Sequence, residues 1–133
     1  MKFHNAHMKS VNKVILLGNV TRDPELKAIP SGQSVCTFGL ATNRVWKDAQ
    51  GEKQSLAEYH NLVTWGALAE FSAKTVKKGV PLYVEGYLKT RSWESPETKA
   101  KIFKTEIVVE NLVLLSAKEA DHGPLSGASE ETD

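Results

Sequence analysis

The stretch Glu58-Tyr59-His60-Asn61-Leu62-Val63-Thr64-Trp65-Gly66-Ala67-Leu68-Ala69-Glu70-Phe71 contains the change of period that decides the fold. From 58 to 65 the residues alternate, so Tyr59, Asn61, Val63 and Trp65 share one strand face and His60, Leu62 and Thr64 the other. After Gly66 the spacing lengthens. Leu68, Phe71 and Thr75 fall on one helical stripe, Ala69, Ala73 and Val76 lie on the stripe beside it, and Gly79 is placed to stop the helix. A strand that runs into a short helix is thereby set in the middle of the chain.

Both flanks read as strands. Residues 11–20 form an apolar run too short for a lone helix and closed by Gly18-Asn19, which suits a buried or bent strand. Asp23-Pro24 and Pro30-Ser31-Gly32 punctuate a loop, and residues 34–42 alternate again with Cys36, Phe38 and Leu40 on one side. Residues 43–57 are polar, with a turn at Asp48-Ala49-Gln50-Gly51, and read as a long excursion with Trp46 near its base. Residues 82–93 and 102–115 form two more strands on either side of the turn Ser95-Pro96-Glu97-Thr98. The expected class is all-β: a five-stranded barrel with one short helix between strands 3 and 4. That is the layout of the OB-fold, a partly open Greek-key barrel.

One such domain is expected, spanning residues 11–116, because 133 residues leave no room for a second core. Residues 1–10 are polar and read as a flexible extension. Residues 117–133 are rich in Gly, Ser, Pro and acids and read as a disordered acidic tail. The formal net charge of +1 conceals an asymmetry, since the body to residue 118 holds all 17 Lys and Arg against 11 acids, a net +6. The last fifteen residues hold five acids and no base, a net −5.

Several function classes fall away. The single cysteine, Cys36, excludes an intramolecular disulfide or a Cys-rich metal site, and its alternating apolar setting reads as a small buried hydrophobe. No phosphate-cradling Gly-rich loop, Cys-His spacing or acid cluster for paired metals is present, so neither an enzyme nor a cofactor or metal is expected. No apolar run approaches the ~18 residues of a membrane span, and residues 1–10 lack the pattern of a signal or transit peptide. The expectation is a soluble cytoplasmic protein without membrane contact.

The aromatics carry the positive signal. Trp46, Tyr59, Trp65, Trp93 and Phe103 stand on or beside strand-like segments, near Lys13, Arg22, Lys47, Lys89, Arg91 and Lys104. Large rings usually pack cores, and a lone surface Lys is ordinary solvated surface. Outward rings among several cations instead suit unpaired bases, because every base offers a π-face and every nucleotide a phosphate. Arg91 is the best placed cation, sharing a strand face with Trp93. Lys77-Lys78 closes the helix, where cations meet its dipole favourably.

Several blocks, in order, resemble the bacterial single-stranded DNA-binding protein family. They are Asn12-Lys13-Val14-Ile15-Leu16-Leu17-Gly18-Asn19 with Arg22-Asp23-Pro24-Glu25, Phe38-Gly39-Leu40-Ala41-Thr42 with Trp46, and residues 58–70 quoted above. Lys78-Gly79-Val80-Pro81-Leu82-Tyr83-Val84-Glu85-Gly86 through Thr90-Arg91-Ser92-Trp93 and Thr105-Glu106-Ile107-Val108-Val109 complete the set. The resemblance implies a homo-oligomer of OB-folds, usually a tetramer, around which single-stranded DNA wraps in replication, recombination and repair. It places stacking positions on Trp46, Tyr59, Trp65 and Trp93 and a subunit-interface role on His60. Tyr59 stands where the family often has Trp, and Trp65 where it often has Phe, so the rings are kept and their identity changes. The family usually ends in an acidic tip with an apolar pair that recruits replication and repair enzymes. This chain ends Ser129-Glu130-Glu131-Thr132-Asp133, without that pair, so poor recruitment is expected. The competing reading is an OB-fold assembly component that uses its surface for proteins.

Overall fold

The computed structural model describes residues 8–116, arranged as β1 (Val14–Val20), β2 (Glu25–Ala28), β3 (Ser34–Lys47), β4 (Lys53–Trp65), α1 (Ala67–Thr75), β5 (Pro81–Glu94) and β6 (Lys101–Leu114). The expected extension over 1–10 and tail over 117–133 lie wholly or largely outside the described residues. The strands pair in the order β1-β5-β6-β4-β3, and Asn19↔Ala41 and Val20↔Leu40 join β3 back to β1. This closes a five-stranded barrel, antiparallel except where β4 runs parallel to β6 at Leu62↔Ile107 and Val63↔Val108.

The barrel with its single short helix matches the expected class, but the helix follows the fourth strand in chain order. The reason is β2, which the sequence reading took as loop. Its four residues are all exposed and pair only with β3, so no buried face imposes an alternating apolar pattern on them. A second correction concerns residues 43–57. They are not an irregular excursion, because β3 and β4 stay in continuous register from Val35↔Trp65 to Lys47↔Lys53 and project as a two-stranded arm. Trp46 pairs with Gln54 near the tip of that arm, not at its base.

The barrel interior is filled by the inward half of each alternating strand. Phe38, Leu40, Leu62, Leu82 and Val84 are fully buried, each leucine worth roughly 1.5–3 kcal/mol of transfer free energy. Helix α1 packs on β2, β3 and β4 through Ala69, Ser72 and Val76, so its buried stripe is the small-residue one and Phe71 is left largely exposed. The Ser72 hydroxyl donates to the Leu68 carbonyl at 2.7 Å, which satisfies the one polar group on that stripe.

β5 and β6 leave the barrel as a second arm, and at Gly86 the backbone of β6 leaves no room for a side chain. The register shifts between Glu85 and Gly86, and a β-carbon at Gly86 would overlap the Val108 carbonyl. The Asn12 side chain then braces the arm's root, since its amide both donates to the Leu88 carbonyl and accepts from the Leu88 N–H at 2.9 Å.

Candidate nucleic-acid interface

On the outer face of the barrel, four strands place alternate side chains around one shallow groove of about 260 Å³. Val35 and Thr37 come from β3, Val63 and Trp65 from β4, Glu106 and Val108 from β6, and Lys89 and Arg91 from β5. The register explains the assembly: Val35↔Trp65, Thr37↔Val63, Val63↔Val108 and Lys89↔Glu106 are neighbours, so the period of two sends all of them outward. The walls are apolar and the far side is charged. Arg91 sits 4.8 Å from the centroid of the Trp93 ring, within cation–π range, and continues the groove onto the β5–β6 arm. Trp65 and Trp93 are each 39% exposed, so both rings are partly open to solvent.

Tyr59 lies on the same β4 face, opposite Ala41 and 72% exposed. Between it and the groove stands Gly39, whose missing side chain is filled by Thr21 and the Arg22 guanidinium. Arg22, although on a connecting segment, is thus laid over the outer face of β3. Trp46 and Phe103 stand apart. Trp46 has the register parity of Leu40 and Phe38, which puts it on the opposite face of the β3–β4 arm, with Arg44 5.0 Å from its ring centroid. Phe103 faces away from Trp93 on the β5–β6 arm, 65% exposed, with Lys101 5.9 Å from its ring.

The remaining cations are spread along these surfaces. Lys47 faces Lys53 across the arm tip, a like-charge pair that weakens the hairpin and concentrates positive charge there. Lys104 Nζ lies 3.9 Å from Glu106, and Lys13 Nζ lies 3.9 Å from Glu85, farther back along β5. Lys13 is not among the residues that line the groove. No group of three or more His, Cys, Asp or Glu side chains gathers among the described residues.

The single-strand binding protein family model matches residues 11–115. The chain belongs to that family. Single-stranded DNA-binding protein 1 of Chlorobaculum tepidum is 43% identical over 115 residues, covering 86% of this chain and 71% of its own length. Among solved structures, a Plasmodium falciparum SSB in complex with ssDNA superposes with a TM-score of 0.75 at 33% identity, over 83% of this chain and 99% of that one. A deletion mutant of the single-stranded DNA-binding protein from Thermus aquaticus gives 0.72 at 27% identity, over 82% of this chain and 52% of that one.

For a member of this family, the details around the rings show which groups are held and which are open. His60 Nε2 is 3.0 Å from the Thr42 hydroxyl, half-buried on the face of β4 that continues the core. Burial pushes the Cys36 thiol up, despite the opposing contact with Thr64, so it stands protonated in the core. The Tyr83 hydroxyl donates to Glu85 at 2.5 Å, which raises the phenol, and lowers Glu85 with help from Lys13. Sequence reasoning missed Glu106, which Arg91 meets through Nε at 3.0 Å and Nη2 at 3.3 Å. Its place two residues after Lys104 in an alternating strand was the available signal. Nothing in the sequence pointed to Arg44 or Lys101, whose pairing with rings depends on i, i+2 neighbours sharing a strand face.

Proposed function

We propose that this protein binds and coats single-stranded DNA without strong sequence preference, in replication, recombination and repair. The observation that carries the reading is the outer groove, where Trp65 and Trp93 offer ring faces on either side of Lys89 and Arg91 in a single-strand binding family barrel. Stacking is indifferent to base identity, and the cations meet the one charge every nucleotide carries. Trp65, Trp93 and Tyr59 form the main stacking set, joined by Trp46 and Phe103 on the second faces of the two arms. Lys13, Arg22, Lys47, Lys89, Arg91 and Lys104 track the phosphates, Lys13 with part of its charge offset by Glu85. The protein acts without catalysis.

The protein works as a homo-oligomer, the family's usual tetramer, with His60 at a subunit contact. Support comes from the outer face of β1 and β5, where Ile15 is exposed and Leu17 and Tyr83 are only partly covered beside Val113. Titrating intrinsic tryptophan fluorescence with oligo(dT), alongside sedimentation, tests both statements. Deep saturable quenching by a particle larger than one chain is expected. Equal affinity for duplex and single strand, or none for either, would instead favour the assembly-component reading.

A further inference from the structure

We infer that Glu106 is a positioning residue for strand binding: its carboxylate holds the Arg91 guanidinium against Trp93 and sets how much of the groove's positive charge is left for phosphates. The inference rests on the reading of the groove as the single-strand site. Glu106 is one acid among three cations. Lys89 is its cross-strand neighbour, Arg91 donates Nε to Oε1 at 3.0 Å and Nη2 to Oε2 at 3.3 Å, and Lys104 Nζ lies 3.9 Å from Oε2. The Glu106 side chain is only 12% exposed, against 51% for Arg91 and 42% for Lys104, so the acid lies beneath the cations and does not face an incoming phosphate.

Two N–H···O bonds to one carboxylate fix the plane of a guanidinium, which a single contact leaves free to turn. Arg91 is thereby fixed with its guanidinium carbon 4.8 Å from the Trp93 centroid, covering one side of the indole. A ring braced in this way loses less rotamer freedom when a base stacks on its open side. The remaining Arg91 N–H groups point charge at the strand, while Glu106 offsets one of the three positive charges. Without it the groove would grip phosphates harder and orient the ring less.

The test is an oligo(dT) titration across a salt series with wild type, Glu106→Gln and the double variant Arg91→Ala with Glu106→Gln. Glu106→Gln is expected to steepen the log–log salt slope by about 0.7, the contribution of one more neutralised phosphate on a single strand. Its line should cross that of the wild type, binding more tightly at low salt and about two- to fivefold more weakly at high salt, the size of an exposed cation–π contact. The double variant restores the wild-type groove charge, so its slope should return to the wild-type value with affinity about two- to fivefold lower throughout. A Glu106→Gln line parallel to wild type, or a double variant that binds like wild type, overturns the inference. Should Glu106→Gln melt before binding is measured, Glu106→Asp keeps the charge but shortens the reach. Weaker binding with an unaltered slope is then expected, and wild-type affinity again overturns the inference. If the wild type itself ignores oligo(dT), the functional reading fails, a result distinct from any of these.

Discussion

Trp65 and Trp93 are each 39% exposed, and neither belongs to the buried core cluster. Trp65→Ala and Trp93→Ala are therefore expected to weaken oligo(dT) binding by about 1–3 kcal/mol each while leaving the far-UV circular dichroism unchanged. Unfolding of either variant, with unchanged affinity in what stays folded, would show the rings to be core. Phe103→Ala should cost less than Trp93→Ala in the same titration, because Phe103 faces away from the groove on its arm. Cys36 presents the opposite case, fully buried with its thiol raised chiefly by desolvation. It should resist a thiol reagent in the native protein and react once denaturant opens the barrel, and prompt native labelling would contradict its burial.

At the scale of elements, the two arms depend on small numbers of polar contacts. The tip of the β3–β4 arm is organised by Asp48, whose carboxylate accepts from the Gln50 and Glu52 N–H groups at 3.0 and 2.9 Å and from the Gln54 side chain at 3.0 Å. Those bonds, led by that from Glu52, lower the Asp48 carboxyl below the usual range. A depressed folded value means that the stabilisation is complete above the unfolded value of about 3.9 and is lost as pH falls through the folded one. The Gln50 and Glu52 amide shifts should therefore titrate below pH ~3.9, and Asp48→Ala should remove that titration and loosen the tip at neutral pH. NMR across the acid range checks both. The β5–β6 arm depends instead on the absence of a side chain at Gly86, beside the register shift. Gly86→Val would drive its side chain into the Val108 carbonyl, which cannot swing aside as a side chain can, and a loss of at least about 1–3 kcal/mol in urea unfolding is expected.

For the whole molecule the deciding quantity is charge. A body of net +6 attached to fifteen residues of net −5 leads us to expect that DNA competes with the chain's own acids for the basic surface. Binding should weaken with salt at about −0.7 in the log–log plot per neutralised phosphate. Removing residues 119–133 should raise affinity modestly at low salt, with the gain vanishing once the Debye length shrinks to a few ångströms. Titrations of the full chain and the truncated one at several salt concentrations measure this directly, and an affinity difference that persists at high salt would point to something other than charge.

The alternation of Cys36, Phe38 and Leu40 and of Leu62 and Thr64 separated the two faces of their strands from sequence alone, and these residues are the buried side, because burial on one side of a strand demands a period of two. The same alternation marked Trp65 and Arg91 as outward residues. It could not find β2, whose four exposed residues have no buried side to impose a pattern, and so the helix came out one strand early. Nor did it divide the five rings into sets, since 43–57 read as a loop and the parity that sends Trp46 to the opposite face from Tyr59 exists only when β3 and β4 run on in register through the arm. The meeting of Arg91 with Glu106 was decided by tertiary structure as well. Fifteen residues separate them along the chain, and only the antiparallel pairing of β5 and β6 brings a guanidinium within 3.0 Å of a carboxylate that local sequence gives no reason to join to it.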